Sequence, residues 1–120
     1  MSTRCRISFE KDNGEVVSSY CHNDGYLDGV GQLLKEHYNT PELAEQVASL
    51  GVFSSLRETI EETKKNCYNE SNDAFRVDKD WGEFEAKIGK CGEEFTYLYT
   101  TDYSGVYGWQ VCETPYFKEY

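Results

Sequence analysis

Hydrophobic and polar positions alternate through "CRISFEKDNGEVVSSYCH", residues 5–22, and a period of two is the mark of half-buried strands. Asn13-Gly14 in the middle is a hairpin signal, because a type I′ turn needs positive φ at both central residues. A two-residue loop puts Phe9 opposite Ser18, Ile7 opposite Tyr20 and Cys5 opposite His22. It gathers Cys5, Ile7, Phe9, Val16, Tyr20 and His22 on one face. A three-residue loop, Asp12 to Gly14, shifts the pairing by one, so that Cys5 faces Cys21 and Val17 joins the apolar face. The two-residue loop is preferred because it places Tyr20 inside.

After Gly25 the period changes to that of a helix, with Val30, Leu33, Leu34 and His37 on one face and Asp28 as the N-cap. Gly29 and Gly31 are poor helix formers whose use is to let the first turn lie close to the sheet. Thr40-Pro41 restarts the chain as N-cap and first helical residue. Leu43, Val47 and Leu50 line the second helix and Gly51 ends it. Ser55 to Glu58 matches a capping box that opens a third helix, "LRETIEETKKN", with a thin apolar face of Leu56 and Ile60. Residues 68–94 mix charges with isolated Phe75, Trp81, Phe84 and Ile88. They read as a surface excursion, with a short strand in "AFRV" and another in "FEAKI". "EFTYLYTTD" and "VYGWQVCET" alternate again and form a second hairpin around "YSG". Either Thr96, Leu98 and Thr100 or Phe95, Tyr97 and Tyr99 point inward. "YFKEY" reads as a tail.

The expected architecture is a single α+β domain over residues 1–120. A hairpin (1–23), a helical segment (24–67), an acidic and aromatic excursion (68–94) and a second hairpin (95–114) follow one another. The two hairpins are expected to make one antiparallel sheet, with about three helices packed on one face.

Charge narrows the function. The chain carries 22 acids against 12 bases, a net charge of −10. A protein that tracks phosphates needs a basic face, so direct nucleic-acid binding is excluded. No apolar run is long enough to span a bilayer, and "MSTRCRISF" has no apolar stretch of the secretory type. The five cysteines, at 5, 21, 67, 91 and 112, include no C-x-x-C pair. They read as free thiols in a reducing compartment, with no metal site.

"YCHNDGYLDGVG", residues 20–31, gathers Cys, His, Asp and Gly. Adjacent strand residues point to opposite faces, so Cys21 and His22 cannot act together as nucleophile and base. His22-x-Asp24 is too sparse for a metal, and G-x-x-x-G-x-G is no phosphate loop. The stretch reads as a strand-to-helix corner, with no catalytic residue and no cofactor. In the second half, acids are interleaved with aromatic residues. A surface of Glu61, Glu62, Asp73, Phe75, Asp78, Asp80, Trp81, Glu83 and Phe84 would suit a protein partner, the rings as anchors and the charges for steering.

The stretch from Tyr20 to Leu56 resembles a family of small acidic bacteriophage and prophage proteins that share Y-x-H-x-D-G-Y-x-x-G-x-G. The matching residues are Tyr20, His22, Asp24, Gly25, Tyr26, Gly29 and Gly31, followed by Leu50, Gly51, Ser54, Ser55 and Leu56. The chain departs from the family's usage at Asn23, where an aromatic is usual, and at Leu27, where Pro is usual. The resemblance implies an accessory protein of the anti-defence or anti-CRISPR type, acting in the cytoplasm of an infected bacterium. Its partner would be a host protein with a basic nucleic-acid-binding groove. The alternatives are a small enzyme using His22, Asp24 and His37 on a nucleotide-like ligand, and a component of a virion or host-takeover complex.

Overall fold

A computed structural model of the chain describes residues 3–67, 76–89, 92–101, 107–112 and 117–119. The first hairpin pairs β1 (Cys5–Glu10) with β2 (Val16–Cys21) through the three-residue loop Asp12-Asn13-Gly14. Lys11 N–H donates to Glu15 O at 2.8 Å and Gly14 N–H to Lys11 O at 3.0 Å. Gly14 has φ +91°, the left-handed residue such a loop needs. Phe9 therefore faces Val17, Ile7 faces Ser19 and Cys5 faces Cys21. The preferred pairing of Cys5 with His22 is overturned, and Tyr20 moves to the opposite face. Tyr20 is buried there all the same, because that face is covered too.

The chain leaves β2 through a tight π-helical turn (Leu27–Gly31) into α1 (Gln32–His37) and α2 (Pro41–Ala48). Asp28 is not the N-cap. Tyr26 holds that position with no side-chain bond. Thr40 and Pro41 do start α2, the Thr40 hydroxyl accepting from Leu43 N–H. The helices return the chain to β3 (Val52–Phe53), which lies parallel to β2, as a helical crossover permits. α3 (Ile60–Lys64) starts later than the Ser55–Glu58 pattern suggested. Its cap is Thr59, bonded to Glu62 N–H. β4 (Arg76–Asp78) pairs antiparallel with the other end of β2.

Two elements differ outright from expectation. "FEAKI" is not a strand, since α4 (Trp81–Ala86) covers most of it, capped by Asp80. The tail contains a strand, β7 (Phe117–Glu119), paired with β6 (Tyr107–Cys112). β5 (Phe95–Thr101) pairs antiparallel with β6 as expected, and parallel with β1. Among the described residues the sheet has seven strands, in the order β3-β2-β1-β5-β6-β7, with β4 beside β2. The fold is α+β, but the sheet is mixed. An antiparallel sheet from two hairpins is contradicted, because the hairpins dock through their first strands, which run the same way.

Helices on one face are contradicted as well. Val30 and Leu34 of the first helical segment, Ala44 and Val47 of α2, and Ile60 of α3 pack on Cys5, Ile7, Phe9, Val17, Tyr97, Tyr99, Trp109 and Val111. The opposite face carries Val16 and Leu98 under Phe84 of α4 and Ile88. Both alternatives for β5 are thus inward: Tyr97 and Tyr99 meet one layer, Leu98 the other, and Thr96 and Thr100 are buried beside it.

Ser19 shows how the first layer is fastened. Its buried hydroxyl donates to Val47 O at 2.8 Å and accepts from Gly51 N–H at 3.0 Å. Replacing Ser19 with Ala removes the acceptor of Gly51 N–H just past the α2 C-terminus, while Val47 O keeps its bonds from Ser49 and Leu50 N–H. The expected cost is about 1–3 kcal/mol, read as a lower urea midpoint at unchanged slope.

Candidate functional site

The corner from Tyr20 to Gly31 is built by close approach. Asp24 takes φ +61°, a left-handed conformation that Asp tolerates better than most residues. Its carbonyl accepts from Val30 N–H at 2.8 Å. Gly25 and Gly29 are glycines for room. A Cβ on Gly25 would stand 2.7 Å from Cys5 Cβ, and one on Gly29 2.3 Å from Asp24 O. Gly25 N–H donates to Thr3 O, and Tyr97 hydroxyl donates to Gly25 O, both at 2.8 Å. The Asn23 amide reaches Ser54, donating to its carbonyl at 2.8 Å and its hydroxyl at 3.0 Å. His22 N–H donates to Phe53 O at 3.1 Å. The corner and the segment from Gly51 to Ser54 are therefore bonded to each other.

The side chains of the corner do not converge on a reaction centre. His22 packs edge-on against Tyr20, ring centroids 5.1 Å apart, on the face that Tyr20 shares with Arg6. His37 ends α1, which packs on the other face, and lies 3.7 Å from Glu36. Asp24 is exposed and accepts from Tyr26 hydroxyl at 3.4 Å. The sheet stands between the two histidines, so the set His22, Asp24 and His37 is not assembled. Cys21 points to the α1 side, opposite Tyr20 and His22. Among the described residues, no group of three or more His, Cys, Asp or Glu is placed to hold a metal ion. None of their helices is long and apolar enough to cross a membrane. An open groove of about 440 Å³ lies at the hairpin loop, lined by Phe9, Lys11, Asp12, Asn13, Pro41, Glu42 and Glu45, and the corner contributes nothing to it.

Sequence reasoning missed a buried polar cluster on the α4 side of the sheet. Arg6 is fully buried in the central strand. Its guanidinium donates to Ser18 Oγ at 2.9 Å, lies 5.5 Å from the centre of the Tyr20 ring and is 3.9 Å from the Glu93 carboxylate. The Glu93 side chain is also fully buried, and its oxygens have no hydrogen-bond partner among the described residues. Alternation was the available signal: Arg6 and Ser8 stand between Cys5, Ile7 and Phe9, where a one-sided sheet would expose them. Nearby, Asp78 is buried and paired with Arg76 at 3.1 Å and Lys87 at 3.2 Å.

The expected acidic surface is divided by this arrangement. Asp78 and Phe84 are buried, so neither offers a side chain to a partner. Asp73 and Phe75 lie outside the described residues. Glu61 and Glu62 are exposed on α3, on the α1–α2 side of the sheet. Asp80, Trp81 and Glu83 stand at the start of α4 on the other side. Asp80 caps Glu83 N–H at 2.9 Å, and the Glu83 carboxylate accepts from Lys79 N–H, one residue before the cap, at 3.3 Å. Trp81 is 37% exposed and leans on Phe84, while Val77 of β4 is 50% exposed. The first group follows β3 and the second follows β4, and β3 and β4 both pair with β2.

Comparison with protein-family models, with curated proteins and with solved structures finds no match to this chain.

Two measurements test these assignments. Truncating Arg6 to Ala strands the Glu93 carboxylate in the sheet and should cost about 3–5 kcal/mol. Replacing both Arg6 and Glu93 with Met should recover most of that loss. Gly25→Ala forces Cys5 and the backbone of residues 3–4 aside and should cost about 1–3 kcal/mol. Gly108→Ala, where a Cβ meets nothing within 4 Å, serves as its control. Chemical denaturation followed by circular dichroism reads all four variants.

Proposed function

We propose that this protein acts by binding, as a phage-encoded inhibitor of a bacterial nucleic-acid-handling defence enzyme. The contact is the acidic edge formed by α3, β4 and the start of α4. The observation that carries this reading is that the elements after β3 and β4, two strands that both pair with β2, carry exposed acids (Glu61, Glu62, Asp80) and an exposed Trp81, with Val77 of β4 exposed as well, on a chain of net charge −10. A groove that holds a nucleic-acid backbone is lined by Lys and Arg and gains its affinity by counterion release. An acidic protein edge competes for the same cations. Charge speeds encounter, and a half-buried Trp supplies the desolvated anchor that charge alone does not.

The phage origin and the anti-defence role rest on the likeness of residues 20–56 to small phage proteins. Stoichiometric blocking needs only a surface, and this edge offers one without disturbing the core. The structural bonds of the corner account for its Cys, His and Asp without any chemistry.

The test is affinity for purified CRISPR effectors and restriction nucleases, measured from low to high salt. Binding should weaken at least tenfold across that range, as screening predicts. Trp81→Ala should cost about 2 kcal/mol or more as a central anchor, and Glu61→Lys should slow association. Affinity that ignored salt and both substitutions would remove this edge from consideration.

A further inference from the structure

The hairpin ladder begins and ends in cysteine. Cys5 opens β1, Cys21 closes β2, and they face each other across the pair. Facing residues of an antiparallel pair hold their Cα atoms about 4.5–5.5 Å apart, within the roughly 4.4–6.8 Å that a disulfide spans. Both side chains point to the helix-covered face, both are fully buried, and both are free thiols. The Cys21 thiol donates to Asn23 O at 3.2 Å, with Ser54 O at 3.9 Å. The pairing predicted first, Cys5 with His22, would have kept these sulfurs on different faces.

The two thiols are unequal. The neighbouring Cys5 thiol, with the backbone of Asn23 and Leu56, brings the Cys21 thiol below its ordinary value against the opposing effect of burial. Burial, and then the neighbouring Cys21, push the Cys5 thiol well up. Cys21 is thus the more readily ionised of the two sulfurs. That is the division of labour between an attacking and a resolving thiol.

We propose that Cys5 and Cys21 are an oxidative modification site, a dithiol that closes reversibly to a disulfide by exchange with a small disulfide such as oxidised glutathione. The Cys21 thiolate attacks one glutathione sulfur, the glutathione S–S bond breaks, and one glutathione leaves as thiolate. That thiolate takes up the proton Cys21 released. Cys5 then gives up its proton and attacks the Cys21 sulfur of the mixed disulfide. The Cys5–Cys21 bond forms, and the second glutathione leaves and is protonated. Two protein thiols are oxidised and one small disulfide is reduced to two thiols.

Access comes from position. The pair stands at the end of the ladder, where strands open first. Gly25 lies over Cys5, held by its N–H bond to Thr3 O, and the segment from Ser54 to Leu56 lies beside Cys21, held by the Asn23 bonds to Ser54. Closing the disulfide would tie the ends of the hairpin together beneath Gly25. Buried cysteines ordinarily serve as small apolar residues. Two of them facing each other at a ladder's end go beyond that role.

The intact protein is incubated under native conditions at graded ratios of oxidised to reduced glutathione. It is then quenched in acid, alkylated, digested and read by mass spectrometry. The expected product is a linked pair of peptides containing Cys5 and Cys21, lighter by two hydrogens, whose yield follows the ratio reversibly. In Cys5→Ser the mixed disulfide at Cys21 should accumulate, because nothing resolves it. The proposal is overturned if both cysteines of the wild-type protein stay fully alkylatable at every ratio. It is overturned equally if the link forms only in urea, where all five thiols are open. The wild-type measurement decides even where Cys5→Ser fails to fold.

Discussion

β1 runs between β2 and β5 and is covered on both faces. Every second residue of a strand then points into one of two interiors, and neither interior is solvent. On the first face the chain supplies Cys5, Ile7 and Phe9, which suit a helix layer. On the second it supplies Arg6 and Ser8, which do not suit an apolar one. A buried guanidinium must find compensation or the strand cannot stay there. Ser18 and Tyr20 on β2 and Glu93 before β5 provide it. The same residues that hold β1 to its neighbours therefore also satisfy its charge. Register and electrostatics are one requirement: a slip of one residue would carry Arg6 into the layer of Leu34 and Val47.

The corner that follows β2 depends on that register. Cys5 lies under Gly25, and Thr3 bonds it, only because β1 stops where it does. The turn must pass close to the sheet for its first helix to bury Val30 and Leu34, and closeness excludes a side chain at Gly25 and Gly29. Asp24 and Asn23 are drawn into fixed places by the same geometry, one by its backbone, the other by its amide on Ser54. A set of residues that suggests reactivity when written as a string is, in space, a joint.

The elements legible in the sequence were those whose determinants are local. Asn13-Gly14 marked the first hairpin, and Thr40-Pro41 marked the start of α2. The pairing register was not legible, because two- and three-residue loops both use that Gly and differ only in backbone conformation. The parallel contact of β1 with β5 was not legible either. It joins distant segments, and nothing in either strand's pattern encodes its neighbour's direction. α4 escaped for another reason: Phe84 is its one buried residue, so no helical stripe exists. Asp80 and Glu83, a cap and the residue it caps, were the signal that could have found it. Thr59 and Glu62 were the equivalent signal for α3, displaced in the reading by the similar Ser55 and Glu58. Of the proposed contact residues, burial removed Asp78 and Phe84. A run of alternating charges and rings does not reveal which of its members face the core.

α4 joins structure to surface with little conflict between them. Phe84 alone fills its contact with Val16 and Leu98, and Asp78 anchors the segment before it through Arg76 and Lys87. Trp81 and Glu85 are then left to the outside, while Asp80 and Glu83 serve both the cap and the surface charge. An element held by one ring and one buried carboxylate can change its outer face with little cost to the core. The acids needed for stability, Asp78 and Glu93, are inside and bring no charge to a partner. Those available for steering, Glu61, Glu62 and Asp80, sit at helix N-termini, where negative charge is favourable in its own right. The fold thus places acidic groups after β3 and β4, the two strands that pair with β2, without asking the sheet to bear their repulsion.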